Sequence, residues 1–263
     1  MTETTVAIFE TTGNGAVHDA LAVLWFLLIS VLLLGYFILD GFDLGAGVLS
    51  PFVAKNEKEK ALVRRAIGPL WDGNEVWLLT AGGALFAAFA PAYATSFSGF
   101  YLAIMLVLFG LIFRAVAIEY AERDETKWKG FWNGAFFLGS AVPALLFGCA
   151  IGNVVEGIAL GTAAGASGNV AAIANGTDYV GGFFSLLNPF GLLCGVLGLV
   201  AFITQGAAWL ALKAPVGSPV HQRATSFRSL FNIITLVCFV IVSVFFFAFV
   251  LPTFEGRTGM TVA

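Results

Sequence analysis

Six stretches of this sequence are apolar for long enough to cross a lipid bilayer as helices, and no other feature restricts the fold as strongly. They run roughly over 20–48, 71–90, 98–120, 131–155, 186–212 and 229–252. A helix needs about 20 predominantly apolar residues to span the hydrocarbon core. In lipid the backbone must satisfy its own polar groups, which leaves helices or a closed barrel, and the short alternating segments of a barrel are missing. The composition agrees: 59% of the residues are hydrophobic and 11% are charged, far from a water-soluble balance. The expected fold is an all-α polytopic membrane protein of about six transmembrane helices.

The cations fix an expected orientation. Lys55, Lys58, Lys60, Arg64 and Arg65 fall between the first two runs, Arg123, Lys127 and Lys129 between the third and fourth, and Lys213, Arg223 and Arg228 between the fifth and sixth. Of the remaining two, Arg257 is in the tail and Arg114 is inside the third run. Eleven of thirteen cations therefore obey one alternation, which by the positive-inside rule makes those loops cytoplasmic and puts both termini outside. Residues 1–19 hold no Lys or Arg, so no signal peptide is expected there.

Local signals divide the chain further. Pro69 stands near the start of the second helix, and Asn188 followed by Pro189 reads as a cap and first position of the fifth. The segment around 156–183 is rich in Gly, Ala, Ser and Asn, and reads as an outer surface loop; its Asn175 sequon carries no weight without a glycosylating compartment. The expected organisation is an outer segment 1–19, helices one to four over 20–156, an outer loop 157–185, helices five and six over 186–252, and an outer tail 253–263. GxxxG spacings at Gly41–Gly45, Gly148–Gly152 and Gly191–Gly195 predict close helix packing. Cys149, Cys194 and Cys238 lie in apolar helical stretches without paired spacing, as small buried hydrophobes do.

Charges inside membrane helices are expensive, on the order of 3 kcal/mol each at the helix centre, so each needs a reason. Asp40 and Asp43 sit near the end of helix one, Asp72 and Glu75 open helix two, and Arg114 and Glu119 close helix three. Because these helices alternate in direction, all six fall at a similar depth, in the cytoplasmic half. Asp40 and Asp43 share a face at i, i+3, as do Asp72 and Glu75. An arginine among carboxylates makes a matched set, because it stays charged and grips them bidentately. Two readings are open: a proton- or cation-handling site centred on Asp43, Asp72 and Arg114, or acids that reach the interface or fasten three helices. From these residues alone, an ion-coupled secondary transporter would rank first.

Haem ligation in membrane redox subunits draws on His, Met or Cys. This chain offers His18 at the outer edge of helix one, His221 in a cytoplasmic loop, and Met105 as the one methionine within a helix. No pair is placed to clamp a haem. The 27 Phe and 6 Trp read as packing and lipid-facing surface.

Several motifs in order carry a resemblance. "GYFILDGFDLGAGVL", "PLWDGNEVWLLTAGGALFAAFAPAYATSFSGFYLA", "FRAVAIEY", "GSAVPALLFGCAIGNVVEG" and "LLNPFGLLCGVLGLVAFITQGAAWL" together resemble subunit II of the cytochrome bd-type quinol oxidases, from about residue 20 to 250. The resemblance implies a bacterial or archaeal respiratory oxidase of the cytoplasmic membrane that takes electrons from quinol and reduces dioxygen to water. It implies a partner, subunit I, that carries the quinol site and the haems, of b and usually d type. Subunit II then ligates no haem and holds no catalytic residue; it stabilises subunit I and contributes a proton path from the cytoplasm. A purely structural assembly role is the alternative. A structural quinone or lipid is a further candidate ligand, and small accessory membrane subunits are further candidate partners; nucleic acid is not expected.

Residue by residue, the resemblance places Asp43, Trp71, Asp72 and Arg114 at the proton entrance, with a candidate cation or water cluster near Asp43 and Asp72. Asp40 belongs to the same motif, while Glu75 and Glu119 match in character only. Members of the family usually have eight helices in two four-helix halves. The first four would form one such bundle here, and the family's last two helices have no counterpart in this sequence.

Overall fold

A computed structural model describes residues 15–121, 128–157, 160–161, 178–179 and 181–255. Most of the expected outer loop, the last residues of the tail, residues 1–14, and Arg123, Lys127 and Arg257 lie outside the described residues, as does the side chain of His18.

Among the described residues the regular structure is helical apart from a two-residue antiparallel pair, β1 (Leu160–Gly161) with β2 (Asp178–Tyr179). The helices are α1 (Gly15–Val53), α2 (Glu57–Ile67), α3 (Trp71–Ala88), α4 (Ala90–Gly99), α5 (Tyr101–Tyr120), α6 (Lys129–Glu156), α7 (Pro189–Lys213), α8 (Pro219–Phe245) and α9 (Leu251–Glu255). A 3-10 turn over Phe183–Leu187 precedes α7, and a π-helical turn over Phe246–Val250 joins α8 to α9.

Five segments among the described residues, within α1, α5, α6, α7 and the α8–α9 run, are long and apolar enough to cross a membrane. The expected second span differs. Its helix, α3, has only 18 residues and opens on Asp72, Asn74 and Glu75. Phe89 then leaves the helical region and α4 restarts with Pro91 in its first turn. Proline has no N–H for the hydrogen-bond ladder and its ring clashes with the carbonyl four residues back, so Pro91 suits a first turn but not a helix interior, and the long apolar run is cut in two. The sixth run begins earlier than expected, at Pro219, where the Ser218 side chain accepts from the His221 backbone N–H at 3.2 Å. Asn188 caps α7 by accepting from the Gly191 N–H, with Pro189 first in the helix, as its sequence predicts.

Glycine decides how closely the helices meet. A Cβ on Gly45 would strike the Phe202 carbonyl of α7, and one on Gly206 would strike the backbone of α1 at Gly45 and Ala46. The same holds for α6 on α7, where Gly148 and Gly152 face Cys194 and Gly195. Such small-residue faces let backbones approach without a side chain between them, and dispersion contacts then do what the hydrophobic effect cannot do in lipid. α7 thus packs on α1, α6 and α8, at the centre of the bundle.

The basic segments gather at one end. α2 is amphipathic: Asn56 caps it by accepting from the Glu59 N–H at 3.0 Å, and the Glu59 carboxylate accepts from the Lys55 N–H at 2.7 Å. Acidic residues in its first turn and Arg64 and Arg65 in its last suit the helix dipole. Val63 and Ile67 are buried against the bundle core. Trp209 Nε1 donates to the Ala66 carbonyl at 3.0 Å, and Arg223 Nη1 reaches both the Val53 carbonyl and Glu59 at 2.8 Å. These bonds bring the ends of α1, α2, α7 and α8 together.

Candidate functional site: a buried acid–arginine cluster

α1 crosses the bundle core with a polar stripe. Tyr36, Asp40, Asp43, Gly47 and Ser50 recur at helical spacing on its inward side, and all except Gly47 carry a polar group. Asp40, Asp43 and Tyr36 have no exposed surface, and Ser50 is buried. Gly47 keeps the stripe open for α6: a Cβ there would overlap Ser140 Oγ.

α5 brings Arg114, also fully buried, against this stripe. Its Nη2 lies 2.7 Å from Asp40 Oδ1 and 2.7 Å from Glu75 Oε1, so one guanidinium nitrogen joins α1 to α3. α5 can come that close to α6 because Gly110 and Gly139 are small: a Cβ on Gly110 would meet Pro143, and one on Gly139 would meet the backbone at Gly110 and Arg114. Asp43 has a different partner. Asn74 Nδ2 donates to Asp43 Oδ2 at 2.7 Å and lies 3.2 Å from the Leu39 carbonyl. Three carboxyl groups therefore share the core with one guanidinium. An arginine buried without carboxylates would be prohibitive, and breaking such a pair costs about 3–5 kcal/mol.

The cluster is not closed by its own bonds. Tyr36 Oη, Asp40 Oδ2, Asp43 Oδ1, and Nε and Nη1 of Arg114 are buried without a hydrogen-bond partner among the described residues, as is Gln205 Oε1 beside Gly41. Buried polar groups are ordinarily satisfied by protein or by internal water. The Glu75 side chain retains 23% of its accessible surface, so the cluster has one edge open to the outside of the chain.

Of the seven residues expected at the site, the structure brings together Asp40, Asp43, Glu75 and Arg114. Trp71 is half-buried at the start of α3 and packs against the core at the basic end. Asp72 and Glu119 are exposed. Asp72 stands two residues, about 200° of helix, from Asn74, so when Asn74 faces Asp43 the Asp72 side chain faces away. No three His, Cys, Asp or Glu side chains gather as a metal site among the described residues. Asn74 and Tyr36 were missed from sequence. Asn74 lies between two acids in "WDGNE", and its position a half-turn from Asp72 was the available signal. Tyr36 is one turn before Asp40, the spacing that puts it on the same face.

Groups with haem-ligand chemistry are dispersed over the fold. His221 Nδ1 lies 2.9 Å from the Ala211 carbonyl at the basic end, Met105 is in α5, and Cys149 and Cys194 are wedged into the α6–α7 crossing. Among the described residues, this donor set does not fit an axially held haem.

A family model described as cytochrome bd terminal oxidase subunit II matches residues 21–261, which includes every element of the cluster. The cytochrome bd-I ubiquinol oxidase subunit 2 of Escherichia coli strain K12 is 43% identical over 228 residues, covering 86% of this chain and 57% of that protein. The cytochrome bd ubiquinol oxidase subunit 2 of Bacillus subtilis strain 168 is 35% identical over 199 residues, covering 75% of this chain and 54% of that protein. The chain thus spans little more than half the length of these curated relatives. A match across nearly the whole sequence, on a helical bundle with apolar spans, carries the assignment: the chain belongs to the cytochrome bd terminal oxidase subunit II family.

Proposed function

We propose that this chain serves as the transmembrane subunit II of a bd-type quinol:oxygen oxidoreductase in a bacterial or archaeal cytoplasmic membrane, with the basic end cytoplasmic and both termini outside. Its partner, subunit I, holds the b- and d-type haems and the quinol site, and the haems supply the electron transfer and oxygen chemistry. This chain supplies no catalytic residue. Its contribution is to brace subunit I and to pass protons inward from the cytoplasmic side.

The observation that carries this reading is the buried set Asp40, Asp43, Glu75 and Arg114, which joins three helices along a stripe leading from the basic end. Making one water from oxygen consumes two protons, and drawing them from the side opposite to quinol oxidation creates a potential without a pump. Such a route needs groups that can hold and release protons in a low-dielectric interior. The excess of carboxyl groups over cations provides them, and Arg114 keeps part of that acid charge compensated. Glu75, at the open edge, and exposed Asp72, one turn away on α3, are the groups through which the cluster exchanges protons with its surroundings. The apolar cleft between α3, α5 and α6 is where a structural quinone or lipid chain would lie.

The test is Asp43→Asn in the complex assembled with subunit I. Oxygen consumption and potential generation should both fall several-fold while haem per complex stays at the parent value. Normal turnover with full haem would overturn the proton role. A second reading has its own observation, since the two bonds of Arg114 Nη2 fasten α1 to α3: if the cluster is only a fastener, activity and haem fall in proportion.

A further inference from the structure

The polar stripe of α1 ends at Tyr36, a residue with no part so far. Its ring is fully buried, and its hydroxyl stands beside the Asp40 carboxyl without completing a hydrogen bond of good geometry. The charged groups that act on it are Asp40 on its own helix, Glu75 on α3 and Arg114 on α5; α6 presents the Phe147 ring, edge-on at 5.3 Å. Beyond Tyr36 the surroundings turn apolar. Leu33 and Ile29, one and two turns further along α1, line a cleft of about 720 Å³ together with Phe147. Tyr36 is thus the last polar group of the stripe before an apolar region.

A buried tyrosine hydroxyl normally finds a partner, because leaving it unpaired costs on the order of 1–3 kcal/mol. Among the other unpaired atoms of the cluster are Asp40 Oδ2, an acceptor, and Arg114 Nη1, a donor. One acceptor, one donor and a hydroxyl that does either form a set that water satisfies, since water offers two donors and two acceptor sites.

We infer that Tyr36 Oη, Asp40 Oδ2 and Arg114 Nη1 form a water-binding site that closes the deep end of the stripe, with Tyr36 as a positioning residue for proton movement at Asp40. This rests on the proton-path reading above. The hydroxyl orients the bound water so that a proton passes to or from Asp40 Oδ2 along an existing hydrogen bond, and no covalent bond to carbon changes. The ring, backed by Phe37 and Phe147, keeps that water from the apolar cleft.

The test is Tyr36→Phe beside Asp43→Asn, both in the complex with subunit I, measured by oxygen consumption in water and in deuterium oxide and by haem per complex. Phenylalanine keeps the ring contacts and removes only the hydroxyl. The expected result for Tyr36→Phe is a roughly two- to tenfold slower turnover, the worth of one hydrogen bond, with a larger solvent isotope effect and unchanged haem content. A parent rate and isotope effect in Tyr36→Phe, with Asp43→Asn slowed, would overturn this inference and leave the proton path standing. If both variants match the parent, the proton path itself fails and the water site with it. Loss of haem in Tyr36→Phe would make the hydroxyl a packing element and would also overturn the positioning role.

Discussion

The two halves of α1 are one continuous helix in opposite surroundings. From Ala20 to Leu34 its side chains are apolar except Ser30, whose hydroxyl donates to the Phe26 carbonyl, and mostly exposed; Phe26 is 64% exposed and Leu27 54%. From Tyr36 to Val53 it is mostly buried, and there it carries Asp40, Asp43 and Ser50 among its glycines. In a water-soluble protein the order would be reversed. In lipid, apolar side chains lose nothing by facing outward, whereas carboxylates must turn to a partner inside the bundle and small residues are needed to bring that partner close.

Substitutions of graded severity test this contrast. The largest effect is expected from Arg114→Leu, which leaves Asp40 and Glu75 without their shared cation in the core. A loss of about 3–5 kcal/mol should appear as a collapse in yield and thermal midpoint of the detergent-extracted protein. Retention of the parent midpoint would mean that the buried half does not depend on charge pairing. Gly45→Ala comes next, with an expected loss of about 1–3 kcal/mol because the new methyl strikes the α7 backbone, which has no rotamer to yield. Asn74→Leu removes the amide donor bonded to Asp43 Oδ2, and a comparable or smaller loss should be accompanied by slower turnover.

Smaller effects belong to the basic end and the outer half. The Lys55 N–H, then Arg223, hold the Glu59 carboxyl below the ordinary carboxylate range, against some desolvation. Its contribution to folding is therefore complete above about pH 4.5, the ordinary range, and fades as the pH falls through its lower folded value. Comparing the fall in thermal midpoint on acidification for the parent and for Glu59→Gln isolates this bond: the variant should show the shallower fall. Least of all, Leu27→Ala in the outer half should change the midpoint by less than about 0.5 kcal/mol equivalent. A clearly larger loss would mean that this face is covered by protein rather than lipid, and the contrast between the halves would need redrawing.

Much of this was legible in the sequence. The apolar runs gave the helices, and the alternation of basic loops anticipated the gathering of Lys55–Arg65, Lys129 and Arg223 at one end. The GxxxG spacings marked the crossings of α1 and α6 with α7. Asp40 and Arg114 were singled out because charge in an apolar run needs a reason. The break between α3 and α4 was harder to read: Pro91 was visible, but apolar content on both sides of it masked the interruption of the helix at Phe89. That Asp72 is exposed on α3 while Asn74 faces Asp43 was not legible, because the sequence gives depth along a helix and not azimuth. Two residues at equal depth can face opposite ways.

The sequence by itself determined that this is a helical membrane chain, which end is basic, and which residues are too costly to face lipid. It did so because bilayer thickness and charge desolvation act on each helix independently of its neighbours. Only the tertiary structure decided that Arg114 binds Asp40 and Glu75, that Asp43 pairs with Asn74, and that Tyr36 ends the stripe. Those choices depend on how each helix is rotated about its own axis, and that rotation is set by glycine-to-backbone contacts between helices distant in the chain.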